Sequence, residues 1–161
     1  MARFGGPATA EELSQRHFRL VCQLLEEYRV GPMPGLEEAL DALRRRGIPF
    51  GVVSSSWRWY VEHCLRELGM YEDAAVIVTG SDGLPLKPAP APYQAAARVF
   101  RPAPPGAVLA VEDSGSGVRS AVAAGLACAA VYNPDSGAQD LSPARWRLNS
   151  LYELPALLDG N

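Results

Sequence analysis

The chain has 161 residues, 48% of them hydrophobic, which is enough for one domain with a real core and too few for two. A formal net charge of −3 and a pI near 5.4 offer no basic field for a phosphate backbone, so nucleic acid is excluded as the expected partner. Residues 1–7 lack the layout of a signal peptide, no apolar run approaches the ~18 residues that span a membrane, and Cys22, Cys64 and Cys128 form no CxxC pair. The expectation is a soluble cytoplasmic protein with no membrane partner, its cysteines buried as small hydrophobes.

Thr9 and Glu12 have the spacing of a capping box, and Leu13, Leu20, Val21, Leu24, Leu25 and Tyr28 recur at helical intervals up to the Gly31-Pro32 break. This predicts one long amphipathic helix over 9–30. Pro34-Gly35 introduces a second helix, with Leu36, Ala39, Leu40 and Leu43 as its apolar stripe and Gly47 where a C-cap glycine belongs. The run Arg44-Arg45-Arg46 fits the solvated end of that helix, where cations complement the dipole.

From there short apolar runs alternate with helical spacing. Strands are predicted over 49–54, 75–79, 107–111 and 127–132, with helices over 57–68, 93–100 and 116–124 between them. The proline-rich stretch 101–106 reads as a connection, and 145–158 as a weak edge strand with a closing helix. Continuous apolar strands alternating with helices point to an α/β fold, a parallel sheet covered on both faces.

In such sheets ligands bind beyond the carboxyl ends of the strands. Ser54-Ser55-Ser56 ends the first strand and offers hydroxyls and backbone N–H groups at a helix N-terminus, either as a phosphate cradle or as an N-cap with solvated neighbours. Lys87, held in Leu86-Lys87-Pro88-Ala89-Pro90 after the second, is a cation suited to a phosphoryl group or an ordinary surface lysine. The third strand runs into Glu112-Asp113-Ser114, hard oxygen donors suited to Mg²⁺, with a helix-capping Asp113 as the plainer alternative. Gly115-Ser116-Gly117 resembles a dinucleotide loop only in part, because the third glycine position is Ser120 and two anions stand where a pyrophosphate would approach.

The ordered set of Pro34-Gly35, Val52-Val53-Ser54-Ser55-Ser56, Lys87-Pro88-Ala89-Pro90, Glu112-Asp113-Ser114 with Gly117, and Ala124-Gly125 resembles the haloacid dehalogenase superfamily, in its β-phosphoglucomutase-like phosphatase branch. The resemblance covers most of 34–158. It implies a Rossmann-like core over 34–161 preceded by the remnant of a helical cap over 1–33. It further implies a Mg²⁺-dependent hydrolase of small phosphate monoesters such as sugar phosphates, working through an aspartyl-phosphate, or a phosphosugar mutase. Ser54 and the Ser55 backbone would bind phosphate, Lys87 would steady the nucleophile and the phosphoryl charge, and Glu112 and Asp113 would hold Mg²⁺. Arg58 would reach a substrate phosphate or sugar, or else be a solvated arginine; Trp57, Trp59 and Tyr60 would line the entrance or pack.

One departure stands out. Members of that superfamily begin with a strand ending in an Asp-x-Asp loop, whose first aspartate is the nucleophile, and these residues contain none; no aspartate precedes Asp41. The expectation is therefore an N-terminally truncated chain lacking the central strand of its sheet and inactive alone, with a non-catalytic phosphate- or partner-binding remnant as the alternative.

Overall fold

The computed structural model describes residues 9–27 and 31–160; the expected last helical turn at 28–30 and the segment 1–7 lie outside the described residues. The chain divides after Pro32 into two compact units. The first carries α1 (Ala10–Glu27), whose start is fixed by the capping box, Thr9 N–H donating to Glu12 Oε2 at 2.8 Å and Glu12 N–H to Thr9 Oγ1 at 3.2 Å.

The second unit alternates helix and strand. It runs α2 (Leu36–Arg46), β1 (Phe50–Val53), α3 (Arg58–Glu67), β2 (Ala74–Val78), α4 (Ala91–Ala97), β3 (Leu109–Glu112), α5 (Gly115–Ala123), β4 (Ala127–Val131), β5 (Trp146–Leu148) and α6 (Leu154–Leu158). Gly47 ends α2 in the left-handed region, φ 61°, its N–H on the Arg44 carbonyl, the conformation for which glycine is the ordinary choice. The expected helix over 93–100 begins two residues earlier and finishes as a 3-10 turn, and a further 3-10 turn, Pro105–Ala107, interrupts the proline-rich connection.

All strand pairings are parallel, as the alternation requires. They form two sheets, however: β1 with β2, and β3, β4 and β5 in that order. Among the described residues β1 and β3 each have one partner, and their carboxyl ends flank an open cavity. This is why β1 is half-buried throughout and Val111, in mid-β3, is 37% exposed, although both strands read as continuously buried in sequence.

β4 is the best-buried strand and sorts its side chains by the two-residue period. Cys128 and Ala130 join Tyr93, Val118 and Ala121 on the α4–α5 face, while Ala129 and Val131 join Ala39, Leu151 and Leu154 on the α2–α6 face. Its alanines let helices approach from both sides, giving the two covering layers of an α/β fold. Cys128 is fully buried, and Cys22 and Cys64 are half-buried rather than buried as expected; none of the three forms a disulfide. Burial, and then the nearby Glu112 charge, push the Cys128 thiol up to about 11, so it packs as an inert hydrophobe. Among the described residues no helix is long and apolar enough to cross a membrane.

Candidate active site

A cavity of about 500 Å³ opens at the carboxyl ends of β1 and β3. Val53, Val111, Val131, Met33, Leu36 and Leu151 form its apolar wall; Ser54, Ser55, Lys87, Glu112, Asp113, Ser114 and Ser116 form its polar rim. Five of the six residues singled out in the sequence therefore converge, although they come from three strand ends.

Ser54 continues β1, its N–H on the Val78 carbonyl at 2.9 Å, and its Oγ accepts from Ser56 N–H at 3.1 Å. The N-cap of α3 is Trp57, so the Ser54 hydroxyl caps its own turn and not the helix. Ser55 at the tip is exposed to the cavity.

Lys87 is no surface lysine. Its side chain is 9% exposed, and its Nζ donates to the Val53 carbonyl at 2.8 Å and to Glu112 Oε1, bridging the ends of β1 and β3. It is the only lysine among the 15 Lys and Arg residues. The loop that carries it is tied to α5 by fully buried Ser120, whose Oγ donates to the Ala89 carbonyl at 2.6 Å.

Glu112 is 8% exposed and fully engaged. Besides Lys87, Oε1 accepts from Tyr93 OH at 2.5 Å, and Oε2 accepts from Ser114 Oγ at 3.1 Å. Gly117 makes room beneath it: a Cβ there would stand 2.0 Å from the carboxylate. That carboxylate fills the space a pyrophosphate would need beside Gly115-Ser116-Gly117, which removes the dinucleotide reading. Ser114, and not Asp113, caps α5, its Oγ accepting from Gly117 N–H at 3.0 Å.

Asp113 projects into the same cavity with one oxygen committed, Oδ2 accepting from Asn133 Nδ2 at 2.8 Å and Ser136 Oγ at 3.1 Å. Asn133 and Ser136 escaped the sequence analysis because polar residues in a Pro- and Asp-containing turn read as loop chemistry. The donor set suits a hard cation, with Asp113 Oδ1 outside these hydrogen bonds and Glu112 beside it on the rim, but Glu112 would have to exchange protein donors to bind one directly. Among the described residues no group of three or more His, Cys, Asp and Glu gathers, so the rim offers a cation two carboxylates at most.

Arg58 is not brought to the cavity. Its guanidinium grips Asp82 at 2.8 and 2.9 Å, Glu62 at 3.4 Å and the Ile77 carbonyl at 3.2 Å, a clip between α3 and the loop after β2. Here Arg58 makes a structural contact with a nearby bidentate carboxylate, and it does not line the cavity where a phosphate or sugar contact was expected. Trp57 is exposed, and neither it nor Trp59 or Tyr60 lines the cavity.

Residues 3–125 match the model of the haloacid dehalogenase-like hydrolase family. YhcW of Bacillus subtilis strain 168 is 33% identical over 160 residues, which are 98% of this chain and 71% of YhcW. The validoxylamine A 7'-phosphate phosphatase of Streptomyces hygroscopicus subsp. limoneus is 31% identical over 121 residues, 70% of this chain and 56% of that enzyme. The crystal structure of CbbY from Rhodobacter sphaeroides in complex with phosphate superposes with a TM-score of 0.78 at 28% identity, covering 95% of this chain and 70% of that one.

Proposed function

Since the chain belongs to the haloacid dehalogenase-like hydrolase family, we propose that it is the larger part of a Mg²⁺-dependent phosphatase of small phosphate monoesters, sugar phosphates among them. The observation that carries this reading is the placement of Lys87 between the ends of β1 and β3, at the mouth of a cavity whose rim also holds Ser54, Ser55 and Asp113. One cation, two hydroxyl-bearing residues and a carboxylate with a free oxygen are what an oxyanion and its charge-neutralising ion require.

In this reading the Ser54 hydroxyl and the Ser55 backbone hold two phosphate oxygens, and the Lys87 ammonium neutralises charge that grows on the phosphoryl group. Asp113, presented by Asn133 and Ser136, would be the principal Mg²⁺ ligand, with Glu112 alongside. A bound Mg²⁺ would supply further charge neutralisation at the transferring phosphoryl. Lys87 and Glu112 are less than one-tenth exposed, which strengthens their interaction.

An aspartyl-phosphate route needs a carboxylate nucleophile. Asp113 is the aspartate on the cavity rim, and this reading gives it to the metal, so it assigns the nucleophile to a segment outside these 161 residues that enters between β1 and β3. Their free edges and the apolar wall favour an extended segment there. Three cysteines with no disulfide among them fit a reducing cytoplasm.

Phosphate release from a panel of sugar phosphates, with Mg²⁺ and the protein as its source cells make it, tests the proposal. Release abolished by Lys87→Met is the expected result; release at the uncatalysed level from every member of the panel would refute it.

A further inference from the structure

Tyr93 sits on α4, 7% exposed, in the core cluster with Val118, Ala121 and Cys128. A tyrosine on the buried face of a helix ordinarily needs only some partner for its hydroxyl. Here that partner is Glu112 Oε1 at 2.5 Å, and the Lys87 ammonium lies 5.1 Å from the centre of the same ring. One side chain therefore touches both members of the buried ion pair.

The consequence follows from what the pair would do without it. Glu112 Oε1 is shared by two donors, Lys87 and Tyr93, while Oε2 has Ser114. Removing the phenol hydroxyl leaves Lys87 as the sole donor to Oε1, and the carboxylate is then free to turn toward the cavity and the position of a cation. The ammonium would follow it or be left on the Val53 carbonyl alone.

We propose, resting on the phosphatase reading of this site, that Tyr93 is a positioning residue: it fixes Glu112 as the counter-ion of Lys87, so that the ammonium is held toward the phosphoryl group and Asp113 is left as the principal metal ligand. The segment 86–93 then delivers two functional groups, Lys87 and Tyr93, and Ser120 latches it to α5 through the Ala89 carbonyl.

Tyr93→Phe tests this, since it keeps the ring and removes one oxygen. Because Lys87 is the only lysine of these 161 residues, lysine-selective ¹⁵N labelling of them gives a single side-chain ammonium signal, whose hydrogen exchange reports on its shielding. The expected result is exchange at least about tenfold faster in Tyr93→Phe than in the parent, with the backbone spectrum otherwise kept. In the active enzyme kcat falls about tenfold while KM for the phosphate monoester stays within about twofold. Unchanged ammonium exchange in a folded Tyr93→Phe would overturn the proposal and leave Tyr93 a packing residue. Absence of phosphate release by the parent would refute the phosphatase reading instead, and the exchange comparison would still decide whether Tyr93 holds the pair.

Discussion

Lys87 and Glu112 meet across the gap between two sheets: the ammonium at the end of the β1 side is paired with the carboxylate that ends β3, and both side chains are less than one-tenth exposed. A buried pair gains strength from the low dielectric around it, but each charge has been taken out of water, so losing either partner leaves an uncompensated ion. Lys87→Met should therefore destabilise the fold by about 3–5 kcal/mol. Lys87→Met combined with Glu112→Gln should cost less than the two single changes added, with a coupling of about 1–3 kcal/mol. Urea unfolding of the four proteins measures this; strict additivity would mean that the two groups do not interact.

Gly117 is required by the carboxylate above it. A methyl group at that position falls 2.0 Å from Glu112 Cδ and Oε2, so in Gly117→Ala either α5 or Glu112 must move. The expected cost is about 1–3 kcal/mol, with displacement of Glu112 visible in a crystal structure of the variant. Unaltered stability and an unmoved Glu112 would contradict the packing described.

Asn133 and Ser136 both donate to the same oxygen of Asp113. Asn133→Ala removes the shorter of these bonds without touching the cavity wall, and it should raise the Mg²⁺ concentration for half-maximal phosphate release about tenfold. A Mg²⁺ dependence unchanged from the parent would remove Asn133 from that role.

The Arg58–Asp82 clip predicts a pH dependence. Burial raises the Asp82 carboxyl, but the hydrogen bonds from Arg58 and from the Thr79 N–H and hydroxyl outweigh it and hold the group below its ordinary value of 3.8. A carboxylate with a lowered folded pKa contributes stability in full above its unfolded value, and that contribution is lost as pH falls through the folded value. Asp82→Asn should therefore cost most near neutrality and converge on the parent in acid. Thermal unfolding of the two proteins between pH 7 and about 2 tests the sign; a gap that widened in acid would contradict it.

Much of this was legible from spacing, because local rules set it: the capping box of Thr9 and Glu12, the glycine that ends α2, and the order of strands and helices. The three strand ends were legible too, since apolar runs stop where polar groups begin. What escaped notice was long-range. Arg58 finds Asp82 24 residues on, Lys87 finds Glu112 25 residues on, and no local period encodes either meeting. Tyr93 reads in sequence as one more apolar position on a helix, and only the fold shows that its hydroxyl reaches the site. The separation of β1 from β3 depends on which strands lie side by side, which continuous apolar runs leave undetermined.

Calorimetric titration of inorganic phosphate into these 161 residues, beside the Lys87→Met variant, tests the account most directly. Saturable binding that Lys87→Met abolishes is the predicted result, since the ammonium and the Ser54 turn are already in place. Binding equal in the two proteins, or none in a folded parent with Mg²⁺ present, would contradict the claim that this cavity handles phosphate.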